Sequence, residues 1–200
     1  MQIKVFPCGQ LLTNCYLAWN VESKKAFIVD PGYISKDLKA FIVKENIIPE
    51  YIILTHGHGD HTGGINDLKK SFPDIQTLAS KKERKFLLDR KTSYGEGGIE
   101  CDIYVEDAQE MIIGDTKLKF ISTPGHTPGG MCILMDKILF SGDTLFRTSI
   151  GRTDFPGGSS EDIINSIKSK LLVLPGETKV LPGHEEQTTI EYEARFNPFV

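Results

Sequence analysis

Every histidine in this 200-residue chain lies in a glycine-containing turn that closely follows an apolar, strand-like run. Three of the five, His56, His58 and His61, share the segment Thr55-His56-Gly57-His58-Gly59-Asp60-His61-Thr62-Gly63-Gly64 with Asp60, directly after the run at 51–54. His126 sits in Thr123-Pro124-Gly125-His126-Thr127-Pro128-Gly129-Gly130 after 118–121, and His184 in Leu181-Pro182-Gly183-His184-Glu185-Glu186 after 180–181. Ser141-Gly142-Asp143-Thr144, after 138–140, repeats the grammar with an aspartate. Glycine has no Cβ and tolerates positive φ, so such turns curl tightly and can aim several side chains at one point. Imidazole nitrogen together with carboxylate oxygen suits zinc or iron, whereas calcium and magnesium favour all-oxygen sites.

Between these turns the pattern is strand-rich with interposed helices. Strands are expected at 2–6, 14–19, 25–29, 52–54 and 76–79, then in a second round at 102–105, 110–113, 117–122, 131–135, 138–141 and 179–181. Ile52-Ile53-Leu54 is uninterrupted, as in a strand covered on both faces. Asp30-Pro31-Gly32 reads as a turn. Ser35 caps a helix to about Glu45 with Leu38, Phe41 and Ile42 on its buried face. A helix is expected from Gly63 to about Ser71, and Ser80-Lys81-Lys82-Glu83 reads as a capping box opening a helix to about Arg90. Residues 91–100 read as loop, Ser159 or Ser160 caps a helix with Ile163, Ile167 and Leu171 in its stripe, and a last helix covers Thr188 to about Arg195. Two rounds of strands with helices between them predict two packed sheets, helices outside, and strand ends gathered along one shared edge.

Length suits one domain over residues 1–200. The net charge of −4 argues against a nucleic-acid backbone as partner, and no apolar run approaches a membrane span. The first six residues lack the layout of a signal peptide, and Cys8, Cys15, Cys101 and Cys132 form no CxxC pair, so a reducing cytoplasm and unpaired thiols are expected.

H-x-H-x-D-H at 56–61, a distant His126, then Asp143 and His184 is similar to the metallo-β-lactamase superfamily. The resemblance implies an α/β fold, the four-layer αββα sandwich, with two divalent transition metal ions per chain drawn from zinc, iron and manganese. It assigns His56, His58 and His126 to one ion, Asp60, His61 and His184 to the other, and Asp143 as the bridge. Seven ligands, one of them shared, leave coordination positions open, as a catalytic site requires.

Details within the superfamily narrow the expectation. Lactam-cleaving members commonly place a cysteine where Asp143 stands, which disfavours antibiotic hydrolysis; flavodiiron members put a glutamate where His58 stands. Thr13-Asn14-Cys15-Tyr16, the stretch from Ser141 to Phe146, Gly151-Arg152-Thr153-Asp154-Phe155 and the tail from Leu181 to Phe199 resemble glyoxalase II-like hydrolases. Full-length glyoxalase II continues into a helical segment that holds glutathione, whereas this chain ends at Val200. That resemblance implies hydrolysis of a small, anionic thioester of the hydroxyacyl-glutathione type by a hydroxide made on the metals, with Asp60 orienting it as a catalytic residue. Arg152 would bind a substrate carboxylate, or else pair with Asp154. Persulfide dioxygenases share the same motifs and are the alternative, with one iron on His56, His126 and Asp143; a non-enzymatic metal-binding scaffold is a more remote one.

Overall fold

The computed structural model describes residues 1–95 and 97–200. One six-stranded sheet runs in chain order: β1 (Gln2–Cys8), β2 (Thr13–Trp19), β3 (Lys25–Val29), β4 (Ile48–Ile53), β5 (Gln76–Ser80) and β6 (Ile103–Val105). Its first three strands are antiparallel, and β3 to β6 are parallel. Parallel neighbours need crossovers, and these are helical. α1 (Lys36–Lys44) joins β3 to β4, α2 (Gly59–Thr62) and α3 (Ile65–Ser71) join β4 to β5, and α4 (Arg84–Leu88) and α5 (Arg90–Ser93) precede β6.

The second sheet is built from β7 (Glu110–Ile113), β8 (Thr116–Ser122), β9 (Met131–Met135), β10 (Ile138–Gly142), β13 (Lys179–Pro182) and β14 (Thr188–Thr189), in the order β14-β13-β10-β9-β8-β7. A small hairpin, β11 (Leu145–Phe146) and β12 (Ser149–Ile150), and α6 (Ser160–Ser166) lie between β10 and β13. The closing helix is α7 (Ile190–Phe196).

Side-chain alternation along the strands separates the layers. On β3, Phe27 and Val29 join Ile53, Leu78, Phe120, Ile133 and Phe140 between the sheets. Ala26 and Ile28 face the other way, packing with Leu38 and Ile42 of α1 and Ile65 and Leu68 of α3. Beneath the second sheet, Cys132, Leu139 and Val180 pack on Ile163 of α6 with Ile167 and Leu171. Burying each large aliphatic or Phe side chain contributes about 1.5–3 kcal/mol, so a strand with both faces covered is held far more firmly than an edge. The arrangement is the expected αββα sandwich.

Four local expectations change. The helix expected from Gly63 begins earlier, at Gly59, so Asp60 and His61 stand on a helical turn, and a break at Gly63-Gly64 separates it from α3. Ser80 does cap, accepting from Lys82 N–H, but Glu83 does not reach back to it; both Glu83 oxygens are engaged elsewhere. Within 91–100, Asp89 caps the single turn α5, which ends on Tyr94 at φ 51°. Thr188 extends the sheet beside Val180, so α7 starts only after Thr189 caps it.

The four thiols are free and buried, and no helix among the described residues is long and apolar enough to cross a membrane.

Candidate metal centre

The turns after β4, β8, β10 and β13 meet at one edge of the sandwich, and they bring all seven side chains together. Two glycines allow the approach. Gly142 has φ 50°, and a Cβ there would strike the Thr55 side chain; a Cβ on Gly183 would strike Asp143 Oδ1 and the His61 ring. A larger residue at either position would push apart turns that must touch.

The ligand-type atoms fall into two groups. His56, His58 and His126 offer nitrogens within 4.8 Å of one another, and so do the atoms offered by Asp60, His61 and His184. His58 Nδ1 lies 2.9 Å from His126 Nε2, and His61 Nε2 lies 3.2 Å from His184 Nε2. Asp143 reaches both groups: Oδ2 is 3.5 Å from His126 Nε2 and 3.6 Å from His184 Nε2, and Oδ1 is 3.4 Å from His61 Nε2.

Four of the five imidazoles are oriented through Nδ1. His61 Nδ1–H donates to Asp30 Oδ2 at 3.0 Å, His126 Nδ1–H to the Arg152 carbonyl at 2.8 Å, and His184 Nδ1–H to the Leu11 carbonyl at 3.1 Å. Thr55 gives its hydroxyl proton to Asp30 Oδ2 at 2.6 Å, so it can accept from His56 Nδ1–H at 3.0 Å. Each contact holds a proton on Nδ1 and turns Nε2 toward the centre, the outer support that ligating histidines need.

The donor set fits a cation. Buried polar atoms are ordinarily hydrogen-bonded, yet His56 Nε2 and Asp143 Oδ1, both belonging to the cluster, are buried without a hydrogen-bond partner. Burial, reinforced by neighbouring imidazoles, holds His56 well below the usual histidine range, and burial pushes His58 down to about 4. Both imidazoles are therefore neutral at pH 7, the form a metal ion requires. Asp60 and Asp143 are depressed: burial pushes each up, but the facing histidines His184 and His61 outweigh it. His61 goes the other way, since Asp143 and Asp30 overcome its burial and raise it well above the usual value. A proton on His61 is thus what a cation would displace.

Two supporting residues escaped the sequence reading. Asp30, in the Asp-Pro-Gly turn, is buried and accepts from Thr55 N–H at 2.7 Å, from the Thr55 hydroxyl and from His61. Asp30, His56 and His61 also lie close enough to be counted as a ligand group. With three donors already on it, Asp30 orients His61 and is a poor ligand. Its segment reads locally as a complete Asp-Pro-Gly turn, so nothing in the sequence around it marked Asp30 as a support for the cluster. Glu83 is the second: its two oxygens accept Gly57 N–H at 2.9 Å and Gly129 N–H at 2.7 Å, tying the His56–His58 turn to the His126 turn. Burial pushes its carboxyl up to about 7.

The cluster opens into a cavity of about 980 Å³. His58, Asp60, Asp143 and His184 form its floor, Tyr94, Arg152 and Phe155 one side, and Leu11, Leu12, Phe146 and Ile150 the other. Arg152 stands at the cavity but is paired: Nε and Nη2 donate to the two oxygens of Asp154 at 2.7 Å each, and the guanidinium stacks 3.8 Å over Phe155.

Comparisons with known proteins agree with this fold. The chain is 34% identical over 210 residues to a protein of Haemophilus influenzae named hydroxyacylglutathione hydrolase GloC, covering 100% of this chain and 98% of that one. It is 29% identical to the mitochondrial persulfide dioxygenase of Homo sapiens, over 93% of this chain and 70% of that one. Among solved structures, the BLEG-1 B3 metallo-beta-lactamase superposes with a TM-score of 0.92 at 35% identity, covering 99% of both chains. TTHA1623, in a di-iron-bound form, superposes with a TM-score of 0.86 at 31% identity over 98% of this chain and 100% of that one. The profile of the metallo-beta-lactamase superfamily matches residues 8–184, and the chain belongs to that superfamily.

Proposed function

We propose that the protein is a metal-dependent hydrolase of acyl thioesters of the hydroxyacyl-glutathione type. The observation that carries this reading is the pair of three-residue groups joined by Asp143 at the floor of an open cavity. Full-length similarity to a chain named hydroxyacylglutathione hydrolase supports the substrate class. His56, His58 and His126 would hold one divalent ion, Asp60, His61 and His184 the other, with Asp143 between them. When bound, such a pair supplies Lewis acidity to a carbonyl and lowers the pKa of water.

The chain's own residues do the rest. Asp60, partly exposed to the cavity and ionised, sits 3.2 Å from His184 Nε2 and accepts a 3.4 Å hydrogen bond from the Thr13 hydroxyl. It would orient the attacking water through its proton. Water adds its oxygen to the acyl carbon, the C–S bond breaks, and the products are a carboxylate and a thiol. A thiolate leaves readily, so no dedicated acid is required. Arg152 would meet a substrate carboxylate in exchange for Asp154, because guanidinium binds carboxylate through two parallel hydrogen bonds.

Persulfide oxygenation is the second reading, favoured by the persulfide dioxygenase relative and by the presence of His56, His126 and Asp143 together. Since both families share these motifs, the ligand set is common to the two readings; the higher identity and nearly complete mutual coverage of the hydroxyacylglutathione hydrolase, against 70% of the dioxygenase, favour the hydrolase. The match to a chain named a B3 metallo-beta-lactamase keeps lactam ring opening among the activities to be tested. The test is thiol release from S-lactoyl-glutathione, oxygen uptake with glutathione persulfide, and ring opening of a chromogenic β-lactam, each before and after chelation. Thiol release without oxygen consumption, lost on chelation and restored by metal, is expected. Rapid oxygen uptake with negligible thiol release would transfer the assignment to the dioxygenase.

A further inference from the structure

The cavity is chemically divided. Tyr94 and Phe155 lie near the first group, their ring centroids 6.1 and 5.7 Å from His58, and Arg152 is the only Lys or Arg among the described lining residues. The opposite side belongs to the second group. His184 Nδ1–H bonds the Leu11 carbonyl, and the Phe146 ring lies 6.3 Å from the His184 ring. This side carries Leu11 and Leu12 from the β1–β2 turn and Phe146 and Ile150 from the β11–β12 hairpin, with the uncharged polar residues Asn14 and Ser149 beside them. Its one charged residue is Glu185, an anion like Asp60 and Asp143 on the floor.

Scattered exposed leucines mean little, but these two are adjacent, 66% and 65% exposed, and line the same cavity as Phe146 and Ile150. Leu12 also holds φ 53°, a left-handed conformation that costs a branched residue energy and is more often found in asparagine or glycine. The cavity, about 980 Å³, is at the upper end of the roughly 300–1,000 Å³ typical of small-molecule sites, a size that suits a thiol portion on one side and an extended acyl chain on the other.

Resting on the hydrolase reading, we propose that the substrates are thioesters with an uncharged, apolar acyl chain, which lies along Leu11, Leu12, Phe146 and Ile150. The thiol portion, with any carboxylate it carries, lies on the Arg152 side. A second anionic arm on the aliphatic side would face Glu185 without a cation to meet it. Chain length is therefore read as burial: each methylene laid on the wall raises kcat/KM about two- to fourfold, the worth of one CH2 removed from water.

The experiment keeps the thiol constant. Metal-loaded protein is assayed for thiol release from S-acetyl-, S-lactoyl-, S-butanoyl- and S-octanoyl-glutathione. Binding of the thioethers S-methyl- and S-octyl-glutathione, which cannot be hydrolysed, is measured by calorimetry. From butanoyl to octanoyl, kcat/KM should rise at least tenfold, and the octyl thioether should bind at least tenfold more tightly than the methyl one. The double variant Leu11→Ser, Leu12→Asn changes exposed side chains and puts asparagine where φ is positive; it should cut the octanoyl-to-acetyl ratio at least fivefold. A flat acyl series together with equal thioether binding overturns the inference, and leaves the hydrolase reading standing if lactoyl-glutathione is cleaved. Preferential octyl binding that depends on the leucines, with no thiol released from any ester, upholds the apolar surface and overturns the hydrolase. Neither thiol release nor octyl preference overturns both.

Discussion

Asp143 is the residue on which the two halves of the centre depend, because its carboxylate faces His126 of one group and His61 and His184 of the other. Removing it should weaken retention of both ions, whereas His61→Ala should empty the Asp60–His61–His184 group preferentially. Elemental analysis of the two variants beside wild type reads this directly, and equal losses in both would refute the division of labour. Arg152 poses a different question, since its guanidinium already holds Asp154 through two hydrogen bonds. If it exchanges that partner for a substrate carboxylate, Arg152→Ala should raise KM for a glutathione thioester severalfold while kcat changes little, the pattern of lost uniform binding. An uncharged thioester should be indifferent. Equal damage to both substrates would make the Arg152–Asp154 pair purely architectural.

At the scale of elements, Glu83 shows how a short helical turn controls two loops it does not belong to. It stands on the 3₁₀ turn Lys81–Glu83 after β5, and its carboxylate receives one N–H from each of two metal-type turns. Burial holds its pKa in the fold at about 7, against an ordinary value of 4.5. A raised folded pKa means that the native state keeps the proton longer than the unfolded chain. The contribution of Glu83 to stability is then complete below about pH 4.5 and is lost as pH rises through about 7. Glutamine does not titrate. The stability of metal-free wild type relative to Glu83→Gln should therefore fall, by on the order of 3 kcal/mol, between pH 4.5 and 8. Urea unfolding of both proteins across that range checks it, and parallel curves would show that the carboxyl does not titrate there. The amide also turns a donor toward one of the two N–H groups, so the variant should retain metal less well at His56, His58 and His126.

For the whole molecule, the centre is a junction. His56, His58, Asp60 and His61 come from the first sheet, and His126, Asp143 and His184 from the second. Cations held there would bind the native state alone and clamp the sheets together along one edge. At a concentration a hundredfold above Kd such binding stabilises by about 2.7 kcal/mol. In a chain of this length that amounts to roughly 5–10 °C in Tm. Complete removal of metal by chelation should lower the melting temperature by about that much, and added metal should restore it. An unchanged melting curve after verified removal would mean that the edge is held by protein contacts alone.

The seven side chains, the alternating strands and the sandwich were legible in the sequence because each has a local signature. A glycine turn after an apolar run needs no partner to be recognised, and the 2.0-residue period of a strand is written along the strand itself. Asp30 and Glu83 were not legible. Each sits in a segment with a satisfactory local reading, an Asp-Pro-Gly turn and a Ser-x-x-Glu box. Their true partners lie 25 residues away at Thr55 and 46 residues away at Gly129. Local hydrogen bonding competes for the same carboxylate, and only packing decides the winner. The β11–β12 hairpin and the aliphatic wall it shares with Leu11 and Leu12 were hidden for the same reason. The sequence by itself determined which chemistry is present and at which strand ends. The tertiary structure alone decided which backbone N–H groups and imidazoles the buried carboxylates serve, because those contacts join residues far apart in the chain.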